Sequence, residues 1–299
     1  MVKLRGCGTA LVTPFLADGA IDEAALRSLV AWQIESGIDF LVPCGTTGET
    51  PTLSHEEWRK VIEITIDAAA GRVPIIAGAT SNCTAEAVNK AREISSLKGV
   101  DFVLSASPYY NKPTQEGQYL HFKAVSEASS KPVVVYNVPG RTGVNLLPET
   151  LQRLTKLPNF AAVKEASGLV TQIAEICASL PEFTVLSGDD AMTLPAIAVG
   201  GAGVISVASN VFPKEMAELT RAALNDDWTA SRSLYKKFLP LMQTHFIESN
   251  PLPVKAVLAM MGRIQEVYRL PLCPMQPHLR AKLEAIARAA GVLGTSPHA

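Results

Sequence analysis

With 299 residues, 47% of them hydrophobic and only 18% charged, the chain has the apolar content of a large folded core and is not a disordered protein. A formal net charge of −1 without a basic block argues against nucleic-acid or anionic-membrane partners. No apolar run approaches the ~20 residues needed to cross a bilayer.

The five cysteines (Cys7, Cys44, Cys83, Cys177, Cys273) are scattered and lack a CxxC pair, as expected of reduced thiols. The histidines form no HxH or HxxxH pair, so no metal site is expected. Met1-Val2-Lys3-Leu4-Arg5 has neither the apolar core nor the cleavage site of a signal peptide, and a cytoplasmic protein is expected.

In chain order, residues 8–13 read as a strand closed by Pro14. Residues 23–36 carry Leu26, Leu29, Val30 and Ile34 at helical spacing and end at Gly37. A strand at 40–43 runs into the loop Gly45-Thr46-Thr47-Gly48-Glu49. A helix opens at Ser54, where Ser54 and Glu57 have the spacing of a capping box. Strands then alternate with helices: 74–78 and 84–96, 102–105 and 115–128, 133–137 and 148–156. The series continues with 160–164 and 171–179, 184–187 and 192–199, 203–207 and 214–225. Strict alternation demands parallel strands with helical crossovers, and eight such units predict a closed (β/α)8 TIM barrel over residues 1–225. Residues 226–299 read as a C-terminal helical extension of three helices, broken by Pro251, Pro253, Pro271, Pro274 and Pro277.

In such barrels catalytic residues gather at the carboxyl ends of the strands. Here those ends supply Thr46 and Thr47, Tyr109 and Tyr110, Tyr136 followed by Arg141, Lys164, Gly188 with Asp189 and Asp190, and Ile205. Lys164 closes the run Phe160-Ala161-Ala162-Val163. A strand-end lysine ordinarily packs its stem and sends its charge to water. A desolvated one has a lowered pKa and attacks carbonyl compounds. Hydroxyls of Thr and Tyr relay protons, an arginine grips a carboxylate in two places, and amides of a Gly-Thr-Thr-Gly turn hold another. The set points to imine chemistry on small keto acids.

Other readings stand beside this one. Tyr136 is equally a core aromatic, and Tyr109 and Tyr110 point to opposite sides of an extended segment. Asp189-Asp190 suits a helix N-terminus better than a metal, and Cys44 suits a small buried thiol better than a nucleophile. Glu165 alternates away from Lys164 toward the barrel wall.

Taken in order, Gly45-Thr46-Thr47-Gly48-Glu49, Ser107-Pro108-Tyr109-Tyr110-Asn111, Tyr136-Asn137-Val138-Pro139-Gly140-Arg141-Thr142-Gly143, Val163-Lys164-Glu165, Ser187-Gly188-Asp189-Asp190 and Asn250-Pro251-Leu252-Pro253-Val254-Lys255 resemble the dihydrodipicolinate synthase and N-acetylneuraminate lyase family of pyruvate-dependent class I aldolases. The likeness covers nearly the whole chain.

The resemblance implies a Schiff base between Lys164 and pyruvate, and no cofactor. It implies a proton relay of Thr46, Tyr136 and Tyr110, the last reaching in from a neighbouring subunit of a homotetramer (a dimer of dimers). Thr47 would hold the pyruvate carboxylate, and Gly188 and Ile205 would line the pocket. Tyr110, Arg141 and the threonine loop resemble the synthase branch, in which Arg141 binds aspartate semialdehyde. The sugar-acid branch, acting on a 2-keto-3-deoxy sugar acid or N-acetylneuraminate, is the alternative, and a catalytically silent binding protein is a third. His55, Asn82, Glu86 and Tyr109 match the family's lysine feedback site, while Thr50 and Pro51 depart from it.

Overall fold

Period-two alternation turns the short apolar runs into a barrel wall. In the strand Val133–Asn137, Val134 and Tyr136 face inward, while Val133 and Val135 pack outward under the helices. The computed structural model describes residues 4–294. Residues 1–3, part of the N-terminal reading, and 295–299, the end of the C-terminal segment, lie outside them.

The order is β1 (Gly6–Ala10), α1 (Glu23–Glu35), β2 (Phe40–Val42), α2 (His55–Ala69), β3 (Ile76–Gly78), α3 (Thr84–Ser96), β4 (Phe102–Ala106) and α4 (Gln115–Ala128). Then come β5 (Val133–Asn137), the single turn α5 (Pro139–Thr142), α6 (Pro148–Thr155), β6 (Phe160–Glu165), α7 (Val170–Ser179), β7 (Thr184–Ser187), α8 (Thr193–Ala198) and β8 (Gly203–Ser206). Helices α9 (Pro213–Leu224), α10 (Trp228–Thr244), α11 (Leu252–Met260) and α12 (Pro277–Ala289) complete the described chain.

All strand pairs are parallel, and β1 bridges β2 to β8. The ring closes between β2 and β3 through the Leu41–Ile75 bridge and the bond from Gly78 N–H to the Pro43 carbonyl, 3.1 Å. The fold is therefore the expected TIM barrel with C-terminal helices.

The first strand begins two residues before the predicted one, at Gly6. Glycines weaken a strand reading, but this wall needs them. A Cβ on Gly8 would stand 1.9 Å from the Phe40 ring, so only glycine leaves room for that side chain inside the barrel. The predicted capping box is formed: Glu57 N–H donates to Ser54 Oγ at 3.2 Å and Ser54 N–H to Glu57 Oε2 at 2.9 Å.

Phe40, Phe102, Val134, Ala162, Leu186 and Ile205 fill the barrel interior. A second apolar layer lies between strands and helices, and Phe238, Leu241, Val254, Val257 and Leu283 of the C-terminal helices belong to it together with Phe212 and Met216. These helices thus bury their stripes on the barrel itself. Among the described residues no helix is long and apolar enough to cross a membrane.

Candidate active site at the carboxyl end of the barrel

A cavity of about 420 Å³ opens where the strands end. Thr46, Thr47, Tyr136, Arg141, Lys164 and Gly188, drawn from the ends of four different strands, line it. Strand parity explains Lys164: Ala162 points into the barrel, so Lys164, two residues on, does too, and Val163 packs outward. Lys164 is only 5% exposed. Gly188 makes space for it, since a Cβ there would lie 3.0 Å from Lys164 Cε and 2.8 Å from the Ala166 methyl.

Burial above all, opposed by the Asp190 carboxylate and aided by the Arg141 guanidinium, brings the Lys164 pKa down to about 8. Its ammonium sits 4.3 Å from the centroid of the Tyr136 ring. Burial drives the Tyr136 phenol up to about 12, so it stays a proton donor at neutral pH. Asp190 is itself buried. It accepts from Ser206 Oγ at 2.5 Å and from the amides of Val207 and Ala208 at 3.1 and 2.9 Å. Desolvation nevertheless raises its pKa to about 6. Asp189 caps the following turn by accepting from Ala191 N–H at 2.9 Å. The acidic pair is thus a cap and a buried anchor between the ends of β7 and β8.

The threonine loop is a short 3-10 turn, Thr46–Gly48, held by a 2.7 Å bond from the Thr13 hydroxyl to the Gly48 carbonyl. The leading amides of such a turn have no acceptor within it. Thr47 Oγ1 accepts from Asn250 Nδ2 at 2.9 Å, and Arg141 Nη2 donates to the Asn250 carbonyl at 3.2 Å. Asn250 therefore ties the threonine loop to the arginine. Its own Oδ1 is buried and has no partner among the described residues. Phe246, Glu248, Ser249 and Asn250, all between α10 and α11, complete the cavity wall. They had no place among the strand-end residues. The only signal for them in the sequence was the Asn-Pro-Leu-Pro-Val-Lys stretch.

The remaining site expectations fall elsewhere. Ile205 is fully buried within the barrel interior and is not part of the cavity lining. Tyr110 is 88% exposed at φ +71°, away from the cavity of its own chain. Glu165 faces the outer wall, where it accepts from Asn137 Nδ2 at 2.9 Å and Gln172 Nε2 at 3.1 Å.

A second cavity of about 410 Å³ shares Thr46, Tyr136 and Arg141 with the first and is lined further out by Glu86, Lys90 and Tyr109. His55 instead contacts Glu93 at 3.0 Å, and the Asn82 carbonyl accepts from Asn111 Nδ2 at 2.9 Å. Neither lines that cavity.

The chain is similar to known proteins over nearly its whole length. The chain is 69% identical to the 4-hydroxy-tetrahydrodipicolinate synthase of Koribacter versatilis, over 98% of each chain. It superposes on the 4-hydroxy-tetrahydrodipicolinate synthase of Methylacidiphilum fumariolicum with a TM-score of 0.95 and 44% identity, over 97% of this chain and 96% of that one. The dihydrodipicolinate synthase of Acinetobacter baumannii, solved as a complex with pyruvate, gives a TM-score of 0.95 at 42% identity, over 97% of this chain and all of that one. The family model described as the dihydrodipicolinate synthetase family matches residues 3–290. The chain belongs to that family.

Proposed function

We propose that the chain catalyses the 4-hydroxy-tetrahydrodipicolinate synthase reaction, condensing pyruvate with L-aspartate 4-semialdehyde through a Schiff base on Lys164. The observation that carries this reading is a buried lysine amine with its pKa brought to about 8, on the floor of a cavity that also holds Arg141 and the threonine turn. The names of the relatives above support the choice of acceptor over a sugar acid.

In the proposed sequence the neutral amine adds to the pyruvate ketone, and the carbinolamine loses water to give an imine. The imine surrenders a methyl proton to become an enamine, whose carbon attacks the aldehyde. The amine of the adduct then attacks the imine carbon, closing the ring and releasing Lys164. Tyr136 and Thr46 move the protons, and the Asp190 carboxylate favours positive charge on the lysine nitrogen as the imine forms. The leading amides of the turn and Thr47 hold the pyruvate carboxylate, and Arg141 grips that of the semialdehyde. Gly188 leaves room for the adduct, with Ile205 beneath it in the barrel.

Tyr110 is read as the third relay member, given to the cavity of a second subunit. A bulky residue in the left-handed region costs roughly 1–2 kcal/mol, which an exposed side chain alone does not explain. A Tyr110 relay requires at least a dimer, and the family resemblance points to a homotetramer, a dimer of dimers, of a cytoplasmic enzyme. At the second cavity, Glu86 suits an ammonium and Tyr109 a carboxylate, which supports feedback binding of L-lysine. Millimolar L-lysine that changes neither rate nor melting temperature removes that part.

A substrate panel tests the whole. Turnover of pyruvate with aspartate semialdehyde, and none of N-acetylneuraminate or a 2-keto-3-deoxy sugar acid, is expected. The reverse pattern overturns the assignment.

A further inference from the structure

The Glu49 backbone adopts φ +53°, ψ +33°, a left-handed conformation that glycine or asparagine takes more readily. It is the joint between the catalytic turn Thr46–Gly48 and the next turn, Thr50–Thr52. Its side chain is fully buried and ends on Lys255 Nζ at 2.5 Å. Lys255 lies on α11, 206 residues away in sequence. The same ammonium donates to the Thr13 carbonyl at 3.2 Å, and the Thr13 hydroxyl holds Gly48. The Phe15 and Tyr268 rings stand 4.4 and 5.2 Å from it. Five residues ahead of Lys255 in this segment, Asn250 donates to Thr47 and accepts from Arg141.

We propose that Lys255 is a positioning residue: through Glu49 it holds the Thr46–Thr47 turn in its catalytic shape, with Asn250 as the second grip of the same segment. The inference rests on the Schiff-base reading, because it assigns the turn its work in that reaction. Three physical points support it. A buried ion pair is a poor source of net stability, since desolvation of both charges offsets their attraction. Two apolar side chains would fill this space as well. Burial pulls the Lys255 pKa down while the Glu49 carboxylate opposes it, so the pair is retained against that cost. The strained conformation also lies at the one residue whose side chain the lysine grips, next to the two threonines of the site. Neither side chain lines the cavity, so the effect on substrate passes through the turn.

The test compares wild type with the double variant Glu49→Gln/Lys255→Met, which leaves no unpaired buried charge. Both are mixed with pyruvate and quenched with borohydride over time and across pH, with melting curves on the same samples. The expected result is a folded double variant whose rate plateau for trapping at Lys164 falls roughly ten- to hundredfold. The pH midpoint set by Lys164 is expected to stay where it is in wild type. A folded double variant that traps at the wild-type rate overturns the inference. If the double variant does not fold, Glu49→Asp keeps the charge pair and shortens the strut. A slowed, folded Glu49→Asp supports the inference, and a wild-type rate overturns it. Absence of any adduct on wild-type Lys164 instead removes the Schiff-base reading itself, so the two failures are distinct.

Discussion

Tyr136 and Lys164 are register partners on the neighbouring strands β5 and β6, and the lysine ammonium stands 4.3 Å from the tyrosine ring. Parallel pairing and strand parity bring the two side chains to the same height and the same inner face, so phenol and amine meet without a loop to place them.

Imine formation should follow the deprotonation of Lys164. With a pKa of about 8, about one amine in ten is neutral at pH 7, against fewer than about one in a thousand for an ordinary lysine. The trapping rate should therefore climb about tenfold per pH unit below 8 and level off above it. A rate still climbing at pH 10 would contradict the lowered pKa.

Lys164 should also cost stability. Its folded pKa lies below the ordinary 10.5, so the unfolded chain holds the extra proton between about 8 and 10.5. Stability then rises with pH across that window, and below it the full penalty stands. Lys164→Met should abolish the adduct and raise unfolding free energy at pH 7, by on the order of 3 kcal/mol. Urea titration of the two proteins at pH 7 measures it.

Tyr136→Phe keeps the ring in the barrel interior and removes only the hydroxyl. The melting temperature should hardly move, while turnover falls by roughly 10²–10⁴ as proton transfer loses its carrier. Steady-state rates beside a melting curve show whether the two effects separate.

Arg141→Ala should form the imine with pyruvate yet lose about a hundredfold in condensation, because the second substrate is no longer held. Since the guanidinium helps lower the Lys164 pKa, the pH midpoint for trapping should move upward in this variant. Failure even to form the imine would contradict the role given to Arg141.

Lys255→Met alone strands a buried carboxylate on Glu49 and should cost about 3–5 kcal/mol of stability. Adding Glu49→Gln should restore most of it. Denaturant unfolding of the two variants checks both halves.

Much of this architecture can be read from the chain, and the exceptions have physical causes. The 84–96 and 115–128 helices and the 133–137 and 184–187 strands match the structure residue for residue, because apolar period and turn chemistry agree there. The start of the first strand is misplaced because Gly6 is set by the Asp39 side chain on the segment entering the neighbouring strand, which local propensity does not register. The α5 turn is too short to show a period. Strand ends led to Lys164, Tyr136, Arg141 and the threonines, since in this fold topology alone brings those positions together. Asn250 and Lys255 were invisible to that logic. Their approach to Thr47 and Glu49 depends on how α11 packs, more than 200 residues from the loop they grip.

The most direct measurement is borohydride reduction in the presence of pyruvate, followed by peptide mass spectrometry. A reduced three-carbon unit on Lys164 and on no other lysine, absent when pyruvate is omitted, is the predicted result. An unmodified Lys164, or a unit carried instead by another lysine such as the buried Lys255, would contradict the account.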